Sequence, residues 1–387
     1  MRSRARQFPL TSQSLLLRLV GCPRLSAQFL FLLLATYVAP TAGQSQTSDR
    51  SSSATYTTED VPVCGRSLAP HNDVCRGRAY LSGIGAPKDL VRGAYWYRKA
   101  ADLGDQNAQN EVGYLYLSGT GVEANEAEAA KWFARGMGGG SQEAKFNLAL
   151  IYLKGPEELR NRTLGFDLMR QLAARGHGNA EYVLGALYRA GDGVPADPAL
   201  AQQWFSRAAK HRSPQGECAI GELNFVTPGH EHNLPKAAKF LRRSAAQGYV
   251  PGMYMLGALL AEHPELQQRG RPEAVTMLTR AAEAGFWQAS AKLAALARDG
   301  WQAPQDLRTA FRWLLIERTQ GGRAAEESAG QDLAFCRHAL SREQQDEEQQ
   351  AVEAWLAQHA GSNVYVFSDG MTVSTHATWT AGKNGHN

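Results

Sequence analysis

Small and bulky apolar residues return along this 387-residue chain at one fixed interval. A small residue stands at Gly77, Gly113, Ala149, Gly185, Gly221 and Gly257, each 36 positions after the last. Three residues further on come Tyr80, Tyr116, Tyr152, Tyr188, Asn224 and Leu260. A bulky series follows at Trp96, Trp132, Leu168, Trp204 and Phe240. A small series closes each unit at Ala101, Met137, Ala173, Ala209, Ala245 and Ala281, with Met137 out of type. A seventh copy, Ala291–Gly322, keeps the pattern with one inserted residue. Self-similarity at a constant period marks a solenoid, in which a unit unable to bury its own apolar face buries it against the next copy.

Within a unit the spacing is helical. Ala108, Val112, Leu115 and Tyr116 form one helical stripe, and Ala127, Ala130, Phe133 and Ala134 another. Between them "GTGVEAN" ends the first helix with glycines and offers Asn125 as N-cap of the second; "GDGVPADP" repeats this with Asp197 and Pro198. Each unit therefore predicts helix–turn–helix, and the chain an all-α solenoid. A glycine inside a helix costs about 1 kcal/mol relative to alanine, so the glycine series predicts close helix approach. The Tyr and Trp series would then fill the wider space beside it.

Charge alters this picture at one end only. The formal charge is +4, but residues 1–43 hold Arg2, Arg4, Arg6, Arg18 and Arg24 and no acid, and the remainder balances 36 basic against 37 acidic side chains. A nucleic-acid-seeking body is excluded on that balance. The apolar run Leu25–Ala39 has the length of a signal-peptide core and is short for a membrane span. Residues 1–43 are thus expected to be a signal peptide cleaved after Gly43, or an uncleaved anchor and the chain's one membrane contact. Export to the periplasm or cell envelope, or secretion, is the expectation, with a mitochondrial or endoplasmic-reticulum destination as the alternative. After cleavage Cys64, Cys75, Cys218 and Cys336 remain; Cys64 and Cys75 are close enough in sequence to form a disulfide.

The pattern small–x–x–Tyr–x–x–Gly–x–Gly–Val followed by Ala–x–x–Trp–[Tyr/Phe]–x–x–Ala–Ala resembles the Sel-1-like repeat, a relative of the tetratricopeptide repeat. It is carried best by "AYLSGIGAPKDLVRGAYWYRKAADLG", "EVGYLYLSGTGVEANEAEAAKWFARG" and "EYVLGALYRAGDGVPADPALAQQWFSRAAK". Units three, five and six lack the glycine loop. The resemblance implies a right-handed αα superhelix of about seven repeats over residues 72–322, its first helices lining a concave face. It also implies an adaptor or scaffold role, and bacterial examples are often exported. Residues 44–71 read as a Ser/Thr-rich linker, and 323–360 as capping helices in which Ser341 and Gln344 make a capping box and "QQDEEQQ" a solvated face. Residues 361–387 read as a mostly disordered tail, in which Val364–Phe367 is the one candidate strand.

Aligning the units places Arg78, Asn110, Tyr114, Phe146, Lys154, Tyr182, Arg189, Glu222 and Tyr254 on inward, solvent-facing positions of the first helices. Tyr, Phe and Arg in a groove are partner-anchoring residue types. The expected function is a non-enzymatic exported scaffold holding a protein or peptide, with no cofactor. The alternative is an envelope enzyme or metal-dependent factor built on His230–His232, for which the sequence supplies two imidazoles of the three or four ligands a metal site needs. No GxSxG elbow, P-loop or HExxH is present.

Overall fold

The protein is described by a computed structural model, in which residues 64, 70–225, 233–267, 272–301, 303–359, 364–366 and 372–374 are placed. Internal contacts divide the chain into residues 54–365 with 372–387, and residues 1–53 with 366–371. All the described helices belong to the first of these units.

Six helical hairpins follow one another: α1 (Pro70–Ser82) with α2 (Leu90–Asp102), α3 (Gln106–Ser118) with α4 (Glu126–Gly138), α5 (Gln142–Lys154) with α6 (Arg162–Ala174), α7 (Gly178–Ala190) with α8 (Pro198–Lys210), α9 (Pro214–Phe225) with α10 (Leu234–Ala246), and α11 (Val250–Glu262) with α12 (Glu273–Glu283). The seventh pairs α13 (Trp287–Asp299) with the first half of α14 (Leu307–Ala339), which bends at Gly322, a residue with φ of 55° inside the helix. The two helices of each hairpin pack on each other, and each second helix packs on the first helix of the following unit.

Caps set these boundaries. Asp89, Asn125, Asn161, Asp197, Asn233 and Asp306 each accept the N–H three residues on, from Arg92, Glu128, Leu164, Leu200, Lys236 and Thr309. Gly119 and Gly191 end α3 and α7 in the left-handed conformation, at φ of 67° and 69°, where a side chain is strained. Units three and five, which lack that glycine loop, close as unit two does: the N-cap amide bonds the carbonyl nine residues earlier, Asn161 to Tyr152 at 2.9 Å and Asn233 to Asn224 at 3.0 Å, like Asn125 to Tyr116 at 2.8 Å. Unit six differs, because its N-cap is Pro272, which has no amide hydrogen to give.

The glycine series admits both the paired helix, whose Ala201 and Ala274 carbonyls would lie 3.1 Å from a methyl on Gly185 and Gly257, and a large side chain carried by that helix. A methyl group on Gly185 would lie 2.6 Å from a ring carbon of Phe205, one on Gly77 2.5 Å from the ring of Tyr97, and one on Gly221 2.5 Å from Leu241. The side chain that meets the glycine lies one residue beyond the Trp series, Tyr97, Phe133, Phe205 and Leu241, all buried; unit three, with Ala149 in place of glycine, has the buried Met169 there. Trp204 and Phe240 of the Trp series itself are only half-buried.

The cap region is α14 with α15 (Arg342–His359). Ser341 and Gln344 exchange backbone and side-chain bonds at 3.0 and 3.2 Å, so the capping box is present. The acidic run is not wholly solvated, however. Glu348 is buried and accepts from Arg308 at 2.9 Å and Arg312 at 2.6 Å, which fastens α15 onto α14. In the tail, β1 (Val364–Val366) and β2 (Thr372–Ser374) form a two-stranded sheet. No helix among the described residues is long and apolar enough to cross a membrane. The expected signal segment lies outside the described residues.

Candidate functional site

The first helices form the inner wall of the array. Neighbouring first helices pack directly on each other, α7 on α9, α9 on α11, α11 on α13 and α3 on α5, whereas neighbouring second helices have at most a grazing contact. The side whose helices lie closer together is the inside of a curve.

Along this wall the nine aligned residues take three states. Arg78 and Arg189 are exposed; Tyr114, Lys154, Tyr182, Glu222 and Tyr254 are half-buried; Asn110 and Phe146 are buried. The last two therefore depart from the solvent-facing expectation, because the following unit covers them. Asn110 Oδ1 accepts from Asn147 Nδ2 at 2.9 Å, and Phe146 stacks on the His177 ring at 5.1 Å. The other residues are also engaged with neighbours. The Tyr114 hydroxyl donates to Asn147 Oδ1 at 3.0 Å, Lys154 Nζ to Asp192 at 2.7 Å and Arg189 to Glu222 at 3.2 Å. Tyr182 packs on Phe205 and Tyr254 on Phe286, with ring centroids 5.7 and 5.0 Å apart.

Burial and neighbouring charges shift several groups on this wall. Burial raises the hydroxyls of Tyr114 and Tyr254 to about 12. The Glu111 carboxyl is exposed to solvent, yet burial raises it as well, against the opposing pull of Arg78. Glu222 beside Arg189 holds that guanidinium above its ordinary value.

Sequence alignment missed Glu111 and Asn147, which lie on the same wall. It also missed a buried acid four residues before the glycine series: Asp73, Glu181 and Glu217. Each faces a basic residue three positions after the Trp series, with Lys99 at 3.7 Å from Asp73, Arg207 at 3.0 Å from Glu181, and Arg243 on Glu217. The same basic residues lie over their own Trp or Phe ring, at 4.6 Å for Lys99, 4.5 Å for Arg207 and 5.3 Å for Arg243. The signal was available in the 36-residue register, had charged as well as apolar residues been aligned.

Cys64 and Cys75 are joined in a disulfide, and Cys218 and Cys336 are unpaired and buried. Among the described residues no group of three or more His, Cys, Asp or Glu is arranged to hold a metal ion. His230–His232 lies outside the described residues.

The sequence matches the Sel1 repeat family seven times, at residues 73–105, 106–136, 142–177, 178–213, 225–249, 250–286 and 287–316. No curated protein sequence matches the chain. Among solved structures it is similar to c5321, a protective antigen of uropathogenic Escherichia coli displaying an SLR fold, at 22% identity and a TM-score of 0.59 over 75% of this chain and 62% of that one. It thus spans less than two thirds of that protein. It is also similar to a Sel1 repeat protein from Oxalobacter formigenes, at 24% identity and a TM-score of 0.47 over 55% of this chain and 85% of that one. A third similar structure is the immunity protein Pa5087 from Pseudomonas aeruginosa, at 20% identity and a TM-score of 0.34 over 59% of this chain and 83% of that one. At 22% identity the c5321 structure speaks to fold alone. The seven matched units cover more than half of the residues, and on that ground the chain belongs to the Sel1 repeat family.

Proposed function

We propose that the chain is a non-catalytic, exported scaffold that holds a protein or peptide partner against the inner wall of its first helices, in envelope regulation or assembly. Sel1-repeat proteins are generally protein-interaction scaffolds. The observation that carries the reading is the row of solvent-reachable side chains, Arg78, Tyr114, Tyr182, Arg189, Glu222 and Tyr254, on the inner wall. Tyr and Arg are the residue types that most often anchor partners. Side chains already held by their neighbours lose little further freedom on binding.

Export rests on the acid-free, Arg-bearing start followed by an apolar run, and on the Cys64–Cys75 bond, since disulfides persist in oxidising compartments.

The test is affinity capture from the native host's envelope fraction with the full chain as bait, repeated with a Tyr182→Ala, Arg189→Ala, Tyr254→Ala triple variant of unchanged helicity. A stoichiometric partner lost in the variant supports the reading, and undiminished capture of every partner overturns it. N-terminal sequencing of the chain from its host tests export. A start after Gly43 in the envelope supports it, and an intact Met1 in the cytoplasm overturns it.

A further inference from the structure

The space between neighbouring second helices is bridged at one junction and open at another. Arg135 on α4 lies over its own Trp132 ring at 4.2 Å and reaches back to the Asp102 carboxylate on α2 at 3.3 Å. Two units later the aromatic and the cation return on α8, with Arg207 over Trp204 at 4.5 Å. The acid does not return. Ala174 on α6 stands 72 residues after Asp102, at the same register position, and has nothing to accept with. A cleft of about 540 Å³ lies there, lined by Asp167, Arg170, Gln171 and Ala174 of α6 and by Trp204 and Arg207 of α8. The junctions on either side lose the pattern in other ways. Between α4 and α6 the three positions hold Gly138, Leu168 and Gln171, and between α8 and α10 Lys210 takes the place of the acid. From α2 to α10, only the α6–α8 junction keeps the aromatic and the cation while lacking the carboxylate.

The cations at this cleft keep donors to spare. Arg170 makes no hydrogen bond among the described residues, and its ion pair with Asp167 is 3.9 Å long, beyond hydrogen-bond range. Arg207 gives Nε to Glu181 and Nη2 to the Ala173 carbonyl, which leaves Nη1. Forked guanidinium donors match a carboxylate in shape as well as charge. Trp204 is half-buried and Ala174 exposed, so the cleft also offers apolar surface. Its volume lies within the range of small-molecule sites.

We propose that the α6–α8 cleft binds a small organic acid, whose carboxylate takes the place of the missing Asp102 counterpart between Arg170 and Arg207 and whose apolar body lies against Trp204 and Ala174. The cleft belongs to the second helices, so this site is separate from the inner wall and independent of the scaffold reading.

The test titrates the full chain with para-fluorophenylpropionate and, separately, with its primary amide, both followed by fluorine NMR. The acid is expected to shift saturably at millimolar concentration and the amide to bind about tenfold or more weakly, the worth of a hydrogen bond to a charged group. Ala174→Asp restores the acid of unit two from within the chain, at an exposed position, and should abolish binding at unchanged helicity. Arg170→Gln removes one guanidinium, also at an exposed position, and should weaken binding about 3–10-fold. The absence of a saturable shift in wild type, an amide that binds as well as the acid, or binding undiminished in both variants would overturn the proposal. The triple variant Tyr182→Ala, Arg189→Ala, Tyr254→Ala, which alters only the inner wall, should bind the acid as wild type does. Loss of acid binding in that variant, with Ala174→Asp unaffected, would place the acid on the inner wall and likewise overturn the proposal.

Discussion

Arg189 in α7 reaches Glu222 in α9 at 3.2 Å across an interval of 33 residues. Tyr114 and Asn147 bond across the same interval, and Arg78, 33 residues before Glu111, pulls that carboxyl downward against its burial. The repeat is 36 residues, so the lateral partner of a first-helix residue lies about one turn short of its own copy. That offset is what parallel helices packed side by side with a stagger produce. It means that the inner wall is held together by unequal rungs, charged at Arg189–Glu222 and amide-based at Tyr114–Asn147, where repeat alignment alone would pair like with like.

Removing the charged rung is expected to separate binding from stability. The side chains of Arg189 and Glu222 are 42% and 43% exposed, and exposed ion pairs are worth about 0–1 kcal/mol. Arg189 also lies over the Phe205 ring at 5.3 Å. Arg189→Ala should therefore lower stability by about 1 kcal/mol or less in urea titration, and reduce partner capture far more than that loss accounts for. Equal losses in both would place Arg189 among purely structural residues.

The glycine series makes a sharper stability prediction. Gly185→Ala gains helix propensity of about 1 kcal/mol but sets a methyl 2.6 Å from Phe205 and 3.1 Å from the Ala201 carbonyl. Overpacking of this kind costs about 1–3 kcal/mol, so net destabilisation is expected. Unit three carries its own answer, with Ala149 at the glycine position and Met169 at the Phe205 position. Gly185→Ala combined with Phe205→Met should accordingly recover stability beyond the sum of the single changes, measured as a double-mutant cycle by thermal melts.

This is also where the limits of the sequence are plainest. The caps at Asn125 and Asp197 and the capping box at Ser341 are legible because each depends on residues within a few positions of one another, and the 36-residue period because it recurs unit after unit. The partner of Gly185 is twenty positions away, on a side chain one step off the series that looks most prominent. Asn110 and Phe146 share a register position with Tyr182 and Tyr254, yet they are buried because of what the next unit happens to place there, Asn147 and His177. A register position fixes the direction a side chain takes but not its cover, which comes from the variable residues of the following repeat.

His177 supplies a pH dependence. Its Nδ1 accepts the Ala180 N–H at 3.2 Å as the N-cap of α7, and only a ring unprotonated at Nδ1 accepts. Burial lowers its pKa below the ordinary value, against an upward pull from Glu143 and Glu181. The folded state thus prefers the neutral ring. Its contribution is complete above the unfolded value of about 6.5 and is lost as pH falls from there through the lower folded value. His177→Asn retains a capping oxygen and should flatten stability across that window. His177→Ala should cost about 1 kcal/mol at pH 7.5 and flatten it too. A pH slope that survives in both variants would assign the titration to another group.

Glu317 should act in the opposite sense. It lies in the first half of α14, 1% exposed, with Oε1 lacking a hydrogen-bond partner. Burial raises its carboxyl to about 7, Ser328 pulling the other way and Asp332 adding to the rise. The folded state therefore favours the protonated acid. The stability this gives is complete below the unfolded carboxylate value of about 4.3 and is lost as pH rises through about 7. Glu317→Gln fixes the neutral shape, so it should leave the melting temperature unchanged at pH 4 and raise it at pH 8, where the wild-type carboxylate is charged and poorly paired. Because Ser328 and Asp332 lie beyond the Gly322 bend, the gain at pH 8 should also appear as slower amide exchange in the second half of α14. A melting temperature raised equally at both pH values would show that the glutamine improves packing and that ionisation of Glu317 has no part in it.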